Sequence, residues 1–208
     1  MFVVALIALG WIIFVGGVIT AGIWLRRHRS KEAAVSSTRI VHFLYFACMI
    51  FPGVAAFFYP GLSHFDELFG IPSLPLKPIL LVIGILLVLP GLYLGVITNK
   101  DLLELGHGAA AFRLTQHIVE LDIYKYTRNP MSLGYYLVSI GVGLIAGSTS
   151  VTLGAILGII PAHVLFLKFF EELELELRFG TPYLEYKRRV PFLIPRFTPS
   201  HNKASSHE

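Results

Sequence analysis

Five apolar stretches, each bounded by polar or charged residues, constrain this chain more than any other feature. Met1 to Leu25 is almost uninterrupted hydrocarbon side chain and ends in Arg26-Arg27-His28-Arg29; later runs cover about Ile40 to Tyr59, Pro78 to Ile97, Met131 to Ala146 and Val151 to Phe170. A helix of about 20 apolar residues is long enough to cross the hydrocarbon of a bilayer. Hydrophobic residues make up 55% of the 208 and charged ones only 14%, too apolar a balance for a soluble core of this size. The expected fold is all-α, a polytopic integral membrane protein with about five transmembrane helices. The first run carries its positive charges after the apolar stretch, the reverse of a signal peptide, and is expected to be a retained helix.

The intervals between runs carry further information. Ser30 to Arg39 reads as a short polar loop, and Pro52-Gly53 as a kink or irregular turn in the second span. Pro60 to Lys77, with its prolines and Asp66 and Glu67, reads as a connector with room for a short interfacial piece. Pro90-Gly91 is expected to bend the third span. Asn99 to Thr127 is the longest polar interval, and its Asp101, Glu104, His107, Arg113, His117, Glu120 and Asp122 make it a candidate part of a site. The fourth run is short for a full crossing and meets the fifth through Gly147-Ser148-Thr149-Ser150.

Charge sets an expected orientation. The stretches 26–39, up to Lys77, 100–128 and from Lys168 onward hold five, one, four and seven Lys or Arg residues. With five spans, the basic regions fall on one side, which the positive-inside rule assigns to the cytoplasm. A formal charge of +4 concentrated beside apolar runs points to membrane lipids and not to nucleic acid. No protein partner is evident. Cys48 is the only cysteine, which excludes an intrachain disulfide and a cysteine-rich metal site. His107, His117 and His163 have no zinc spacing, so no metal is expected, and His163 reads as a packed helix residue.

Two polar clusters stand out. Tyr124-Lys125-Tyr126-Thr127-Arg128-Asn129-Pro130 leads into the fourth run, with Asn129 placed to cap and Pro130 to start a helix. Glu171 and Glu172 follow the fifth run, so a tight hairpin brings them back to the membrane face that carries Arg128. Taken alone, the first cluster is also what an interfacial anchor looks like. Glu171 to Leu177 alternates like a strand, but the spacing of Phe169, Leu173 and Leu177 favours a helix. The glycines from Gly141 to Gly158 read as helix-packing positions. Tyr183 through Arg189 has the composition of an aromatic and basic membrane anchor.

Together the clusters resemble the isoprenylcysteine carboxyl methyltransferase and phospholipid methyltransferase superfamily of integral membrane enzymes. Tyr124, Arg128, Asn129, Pro130 and Gly134 match the first half of its signature, and Glu171, Glu172, Phe179, Gly180, Tyr183 and Tyr186 the second, continued by Val190 and Pro191. The likeness covers about residues 76 to 197. Asp122 stands where the family has glycine, Ser132 where it has tyrosine, and Lys168 is the nearest basic residue before the glutamates.

The resemblance implies S-adenosylmethionine-dependent methyl transfer to a lipophilic or small acceptor at the cytoplasmic membrane face. Glu171 or Glu172 is placed to attract the donor's amino group or sulfonium, and Arg128 to pair with its carboxylate; these three are the candidate catalytic residues. Tyr124, Asn129, Pro130, Gly134, Tyr183 and Tyr186 complete the candidate cofactor site. The expected organisation is an N-terminal two-helix membrane region with connector, 1–75, and a methyltransferase-like region with a cytoplasmic C-terminal segment, 76–208. A non-enzymatic small membrane transporter or membrane-organising protein is the alternative, supported if Arg128 and a glutamate pair for stability. A reductase of similar architecture is a third.

Overall fold

The computed structural model describes residues 2–59, 61–108 and 114–196, and among them there are helices and no strands. Helix α1 is Phe2–Arg27 and α2 Lys31–Phe58. A short α3, His64–Phe69, precedes α4, Lys77–Glu104. Helix α5 is Pro130–Ala146, α6 Thr149–Phe179 and α7 Thr181–Arg189. Helices α1, α2, α4 and α6 are each long and apolar enough to cross a membrane, whereas α5 has only 17 residues. At 1.5 Å per residue that is about 25 Å, short of a hydrocarbon core of about 30 Å.

One expectation is corrected at the start of α2. Ser30 to Arg39 is not a loop: the Ser30 hydroxyl accepts from Ala33 N at 3.0 Å and caps a helix that begins at Lys31. The segment is polar in sequence, but it buries Ala34, Ser37 and Thr38 against its neighbours. Their hydroxyls are satisfied by backbone carbonyls one turn back, at 2.8 Å. A polar stretch whose donors bond within the helix has no reason to leave it.

Close crossings set the packing. At the α1–α2 crossing a Cβ on Gly10 would lie 2.5 Å from Cys48 O. Along α4 and α5, Gly84 faces Gly141 and Gly91 faces Gly134, and an added Cβ at any of the four would come within 2.7 Å of the opposite carbonyl. Small residues at such crossings let apolar helices gain dispersion contacts where lipid removes the hydrophobic drive. Consecutive long helices run antiparallel. The ends of α1 and α4 therefore share one face of the bundle with the starts of α2 and α5 and the last turns of α6.

Two π-turns have a visible cause. Phe46–Ile50 in α2 and Gly154–Ile159 in α6 lie just before Pro52 and Pro161, whose missing N–H and ring bulk widen the preceding turn. The irregularity expected at Pro52-Gly53 thus takes this form. Pro90 stays inside a continuous α4. The third π-turn, Phe166–Glu171, has no proline and carries Lys168 and Glu171.

Candidate active site

The chain enters the site through a 3-10 turn, Asp122–Lys125. Asp122 has φ +51°, the left-handed region that glycine favours and Asp tolerates better than most residues. That geometry explains how an aspartate stands where the family pattern has glycine. The turn buries the Tyr124 side chain, whose backbone carbonyl accepts from the Tyr186 hydroxyl at 2.8 Å.

Arg128 is the hub. Its side chain is only 7% exposed, and Nη1 donates to Glu172 Oε1 at 2.8 Å. Arg128 Nε donates to Val190 O at 3.0 Å, and its backbone N–H to Pro191 O at 2.9 Å. Asn129 has no side-chain cap bond, contrary to expectation; its Nδ2 donates to Phe192 O at 2.9 Å. Thr127 Oγ1 donates to Leu193 O at 2.9 Å. Residues 127–129 are therefore laced to the segment that follows α7, leaving Pro130 to begin α5.

Glu172 gathers three cations. Besides Arg128 it meets Lys168 Nζ at 3.1 Å and Lys187 Nζ at 2.8 Å, and Lys187 also meets Glu176 at 2.7 Å. Burial pulls the Lys187 ammonium down, but its bonds to the two carboxylates outweigh this and hold it above the ordinary value. The Lys168 ammonium lies 3.7 Å from the centroid of the Phe192 ring. A second buried pair, Glu174 with Arg178 at 2.6 Å, ties α6 to Thr115 O in the polar interval.

Glu171 is the exception. One residue along the helix is a rotation of about 100°, and among the described residues its carboxylate makes no hydrogen bond or ion pair. Its charge acts instead on tyrosines. Burial raises the Tyr124 phenol, and the charges of Asp101 and Glu171 raise it further. Tyr183 is raised by burial and then by Glu171, with Arg128 opposing. Tyr183 and Tyr186 are both buried, with ring centroids 6.2 Å apart. A buried carboxyl with no bonded partner, near phenols that stay protonated, suits a cation with aromatic or apolar surroundings.

The other expected positions divide. Tyr124, Arg128, Asn129, Pro130, Glu171, Glu172, Tyr183 and Tyr186 belong to this end of the bundle. Gly134 packs against Gly91 of α4. In the polar interval, Glu120 pairs with Arg189 at 2.6 Å and the His107 and His117 rings lie 5.3 Å apart. Arg113 lies outside the described residues. Lys187, Thr127 and the carbonyls of residues 190–193 were missed by sequence reasoning. The Val190-Pro191 continuation of the signature is the signal that pointed toward them.

Comparison with known proteins gives two matches. Residues 79–181 match the phospholipid methyltransferase family. Methanethiol S-methyltransferase 2 of Bradyrhizobium diazoefficiens is 34% identical over 106 residues, an alignment covering 48% of this chain and 39% of that protein. The chain thus spans well under two thirds of the relative it matches. No solved structure gives a significant match. Residues 79–181, which hold the Arg-Asn-Pro turn, both glutamates and the hairpin between them, are thus similar to the phospholipid methyltransferase family.

Proposed function

We propose that this protein transfers a methyl group from S-adenosylmethionine to a lipophilic or small acceptor, at the bundle end that carries Arg128, Glu171 and Glu172. The observation that carries this reading is the unequal treatment of two adjacent carboxylates within the family-matched stretch. Glu172 is saturated by Arg128, Lys168 and Lys187, while Glu171 is left bare beside Tyr124 and Tyr183. Leaving a carboxylate unpaired in a low-dielectric site costs stability, and a cationic ligand offsets that cost.

When bound, S-adenosylmethionine supplies an electrophilic methyl group on a sulfonium centre. Glu171 would hold positive charge at the site, and Glu172 keeps Arg128 and Lys187 fixed, the two cations that would meet the donor's carboxylate. Tyr124, Tyr183 and Tyr186 exclude water, and the Asn129-Pro130 turn sets the height of α5 beside them. Much of the rate in such a transfer comes from holding nucleophile and methyl carbon in line.

The membrane reading is five crossings with this end in the cytoplasm, α5 making the short fifth crossing. Basic residues support it: Lys77 is the one lysine or arginine of the described residues at the opposite end. Residues 1–75 then form a two-helix membrane region and 76–208 the catalytic region. The relative's printed activity makes a small thiol the first acceptor to try, beside lipid amines and prenylcysteine. The buried Arg128–Glu172 pair is also what a purely structural or transport protein would show. Calorimetry with S-adenosylmethionine on the detergent-purified protein separates the two readings. Saturable binding, followed by label transfer from radiolabelled donor to one of these acceptors, is expected. A folded protein that binds no donor would remove the methyltransferase reading.

A further inference from the structure

A cavity of about 650 Å³ in the bundle lies away from the charged site. Its walls are the N-terminal half of α1, the C-terminal half of α2, α3, and the parts of α5 and α6 nearest their connecting turn. Arg128, Glu171 and Glu172 sit at the opposite ends of these same helices. The cavity therefore occupies the half of the membrane that a water-soluble donor at the charged end does not reach. Its lining is almost wholly apolar, with Trp11, Phe57 and Phe65 among its walls and Tyr135 at its inner end.

Two details tell what fills it. The cavity is continuous with the lipid-facing surface of α2, where Val54 is 52% and Phe57 59% exposed and both also line the interior. Two lining glycines, Gly53 on α2 and Gly154 on α6, have nothing within 4 Å of where a Cβ would stand. Neither is a close-crossing glycine like Gly91 or Gly134; their missing side chains leave open volume. Helices interact in a bilayer by dispersion, so an empty volume of this size forfeits contacts on every wall. Water finds few partners there, Ser150 Oγ being one of the rare polar atoms on its walls.

We infer that this cavity is a binding site for one acyl chain of a membrane phospholipid, entering sideways past Val54 and Phe57 from the leaflet on the α3 side. The site is separate from the methyl acceptor's and does not depend on the proposed reaction. A volume of several hundred Å³ with apolar walls is the ordinary size of a ligand pocket. The acyl chain holds α1 and α2 against the α5–α6 hairpin at the end where, among the described residues, no ion pair does so.

The test is to fill the space from inside. Wild type, Gly53→Leu, Gly154→Leu and the double variant are purified in detergent, and bound lipid is extracted and counted by mass spectrometry. About one phospholipid per wild-type chain is expected, falling at least fivefold in the double variant while its melting temperature is kept. Because a variant can fail to fold, a second measurement uses Trp24→Phe protein in nanodiscs of brominated-chain phosphatidylcholine. There Trp11 fluorescence is quenched, and less so once Gly154→Leu is added. Unchanged lipid content with raised thermal stability in the filled variants would mean a plain void and overturn the inference. Quenching that Gly154→Leu does not alter would do the same.

Discussion

The two ends of the α5–α6 hairpin are built from the same kinds of group and differ in whether those groups are satisfied. At the turn end, Gly147 takes φ +63° to close α5, and Ser148 caps α6 by accepting from Val151 N at 3.2 Å. Asp66 of α3, 1% exposed, accepts from Ser148 Oγ at 3.0 Å, Thr149 N at 3.1 Å and Ser150 N at 2.7 Å. A carboxylate at a helix N-terminus, bonded by its free N–H groups, is a structural lock. At the other end three cations crowd Glu172 while its neighbour Glu171 has none. Saturation marks the lock, and the bare carboxylate beside a saturated one marks the proposed site.

The strongest way to break this comparison is to neutralise the two glutamates in turn. Glu172→Gln leaves Arg128 buried without its anion, a loss of about 3 kcal/mol or more in a buried pair. It is expected to lower the melting temperature sharply and abolish donor binding with it. Glu171→Gln breaks no contact in the ligand-free protein, so its melting temperature is expected to stay put. Its donor Kd is expected to rise at least tenfold, since a charge-assisted contact is worth about 1.5–3 kcal/mol. Calorimetry beside thermal unfolding checks both, and equal behaviour of the two variants would dissolve the distinction.

Asp66→Asn tests the lock. Burial pushes the Asp66 carboxyl up, but the hydrogen bonds from Ser150, Ser148 and Thr149 outweigh it and hold it below the usual range. A carboxyl whose folded value lies below its unfolded one stabilises fully above the unfolded value of about 4. That contribution is lost as pH falls through the folded value. Thermal unfolding of wild type is therefore expected to weaken below about pH 4, and Asp66→Asn to show less of this dependence. The substitution should cost about 1–3 kcal/mol at neutral pH with donor affinity unchanged, whereas a shifted donor Kd would couple the two ends.

Gly134→Ala sits between the ends. Its Cβ would fall 2.6 Å from Gly91 O, so α4 and α5 must part, at about 1–3 kcal/mol for overpacking. If Gly134 serves only this crossing, donor affinity per folded molecule is unchanged. A fall in affinity at kept stability would restore it to the cofactor site.

Much of this was legible because membrane burial makes patterns long. Apolar runs located all the long helices, and the two-part signature located Arg128 and both glutamates. What stayed hidden is pairing. Glu171 and Glu172 are indistinguishable in sequence; only the helix phase set by the Phe166–Glu171 π-turn sends one to Arg128 and the other to the tyrosines. Asp66 looked like any connector carboxylate, because its partners are more than 80 residues away at Ser148, Thr149 and Ser150. Ser30 to Arg39 misled for the opposite reason, its polar groups being satisfied within the helix.

The smallest expected effect lies at the junction between the family-matched stretch and α1, which falls outside it. Arg26 Nη2 donates to Phe169 O at 2.9 Å, its guanidinium lies 4.0 Å from the centroid of the Phe169 ring, and a Cβ on the neighbouring Gly22 would meet that ring at 2.6 Å. Phe169 belongs to the π-turn that sets the phase of Glu171 and Glu172. The contact is exposed, so Arg26→Met should cost no more than about 1 kcal/mol of stability. Its effect on the site is through position alone: donor KM is expected to rise a few-fold with kcat nearly unchanged, and Arg26→Lys to recover part of it. An equal loss in the Lys and Met variants would show that bidentate geometry, and not charge, holds the turn. No change in KM for either would mean that the π-turn keeps its phase without α1, and that the unequal treatment of the two glutamates does not depend on that helix.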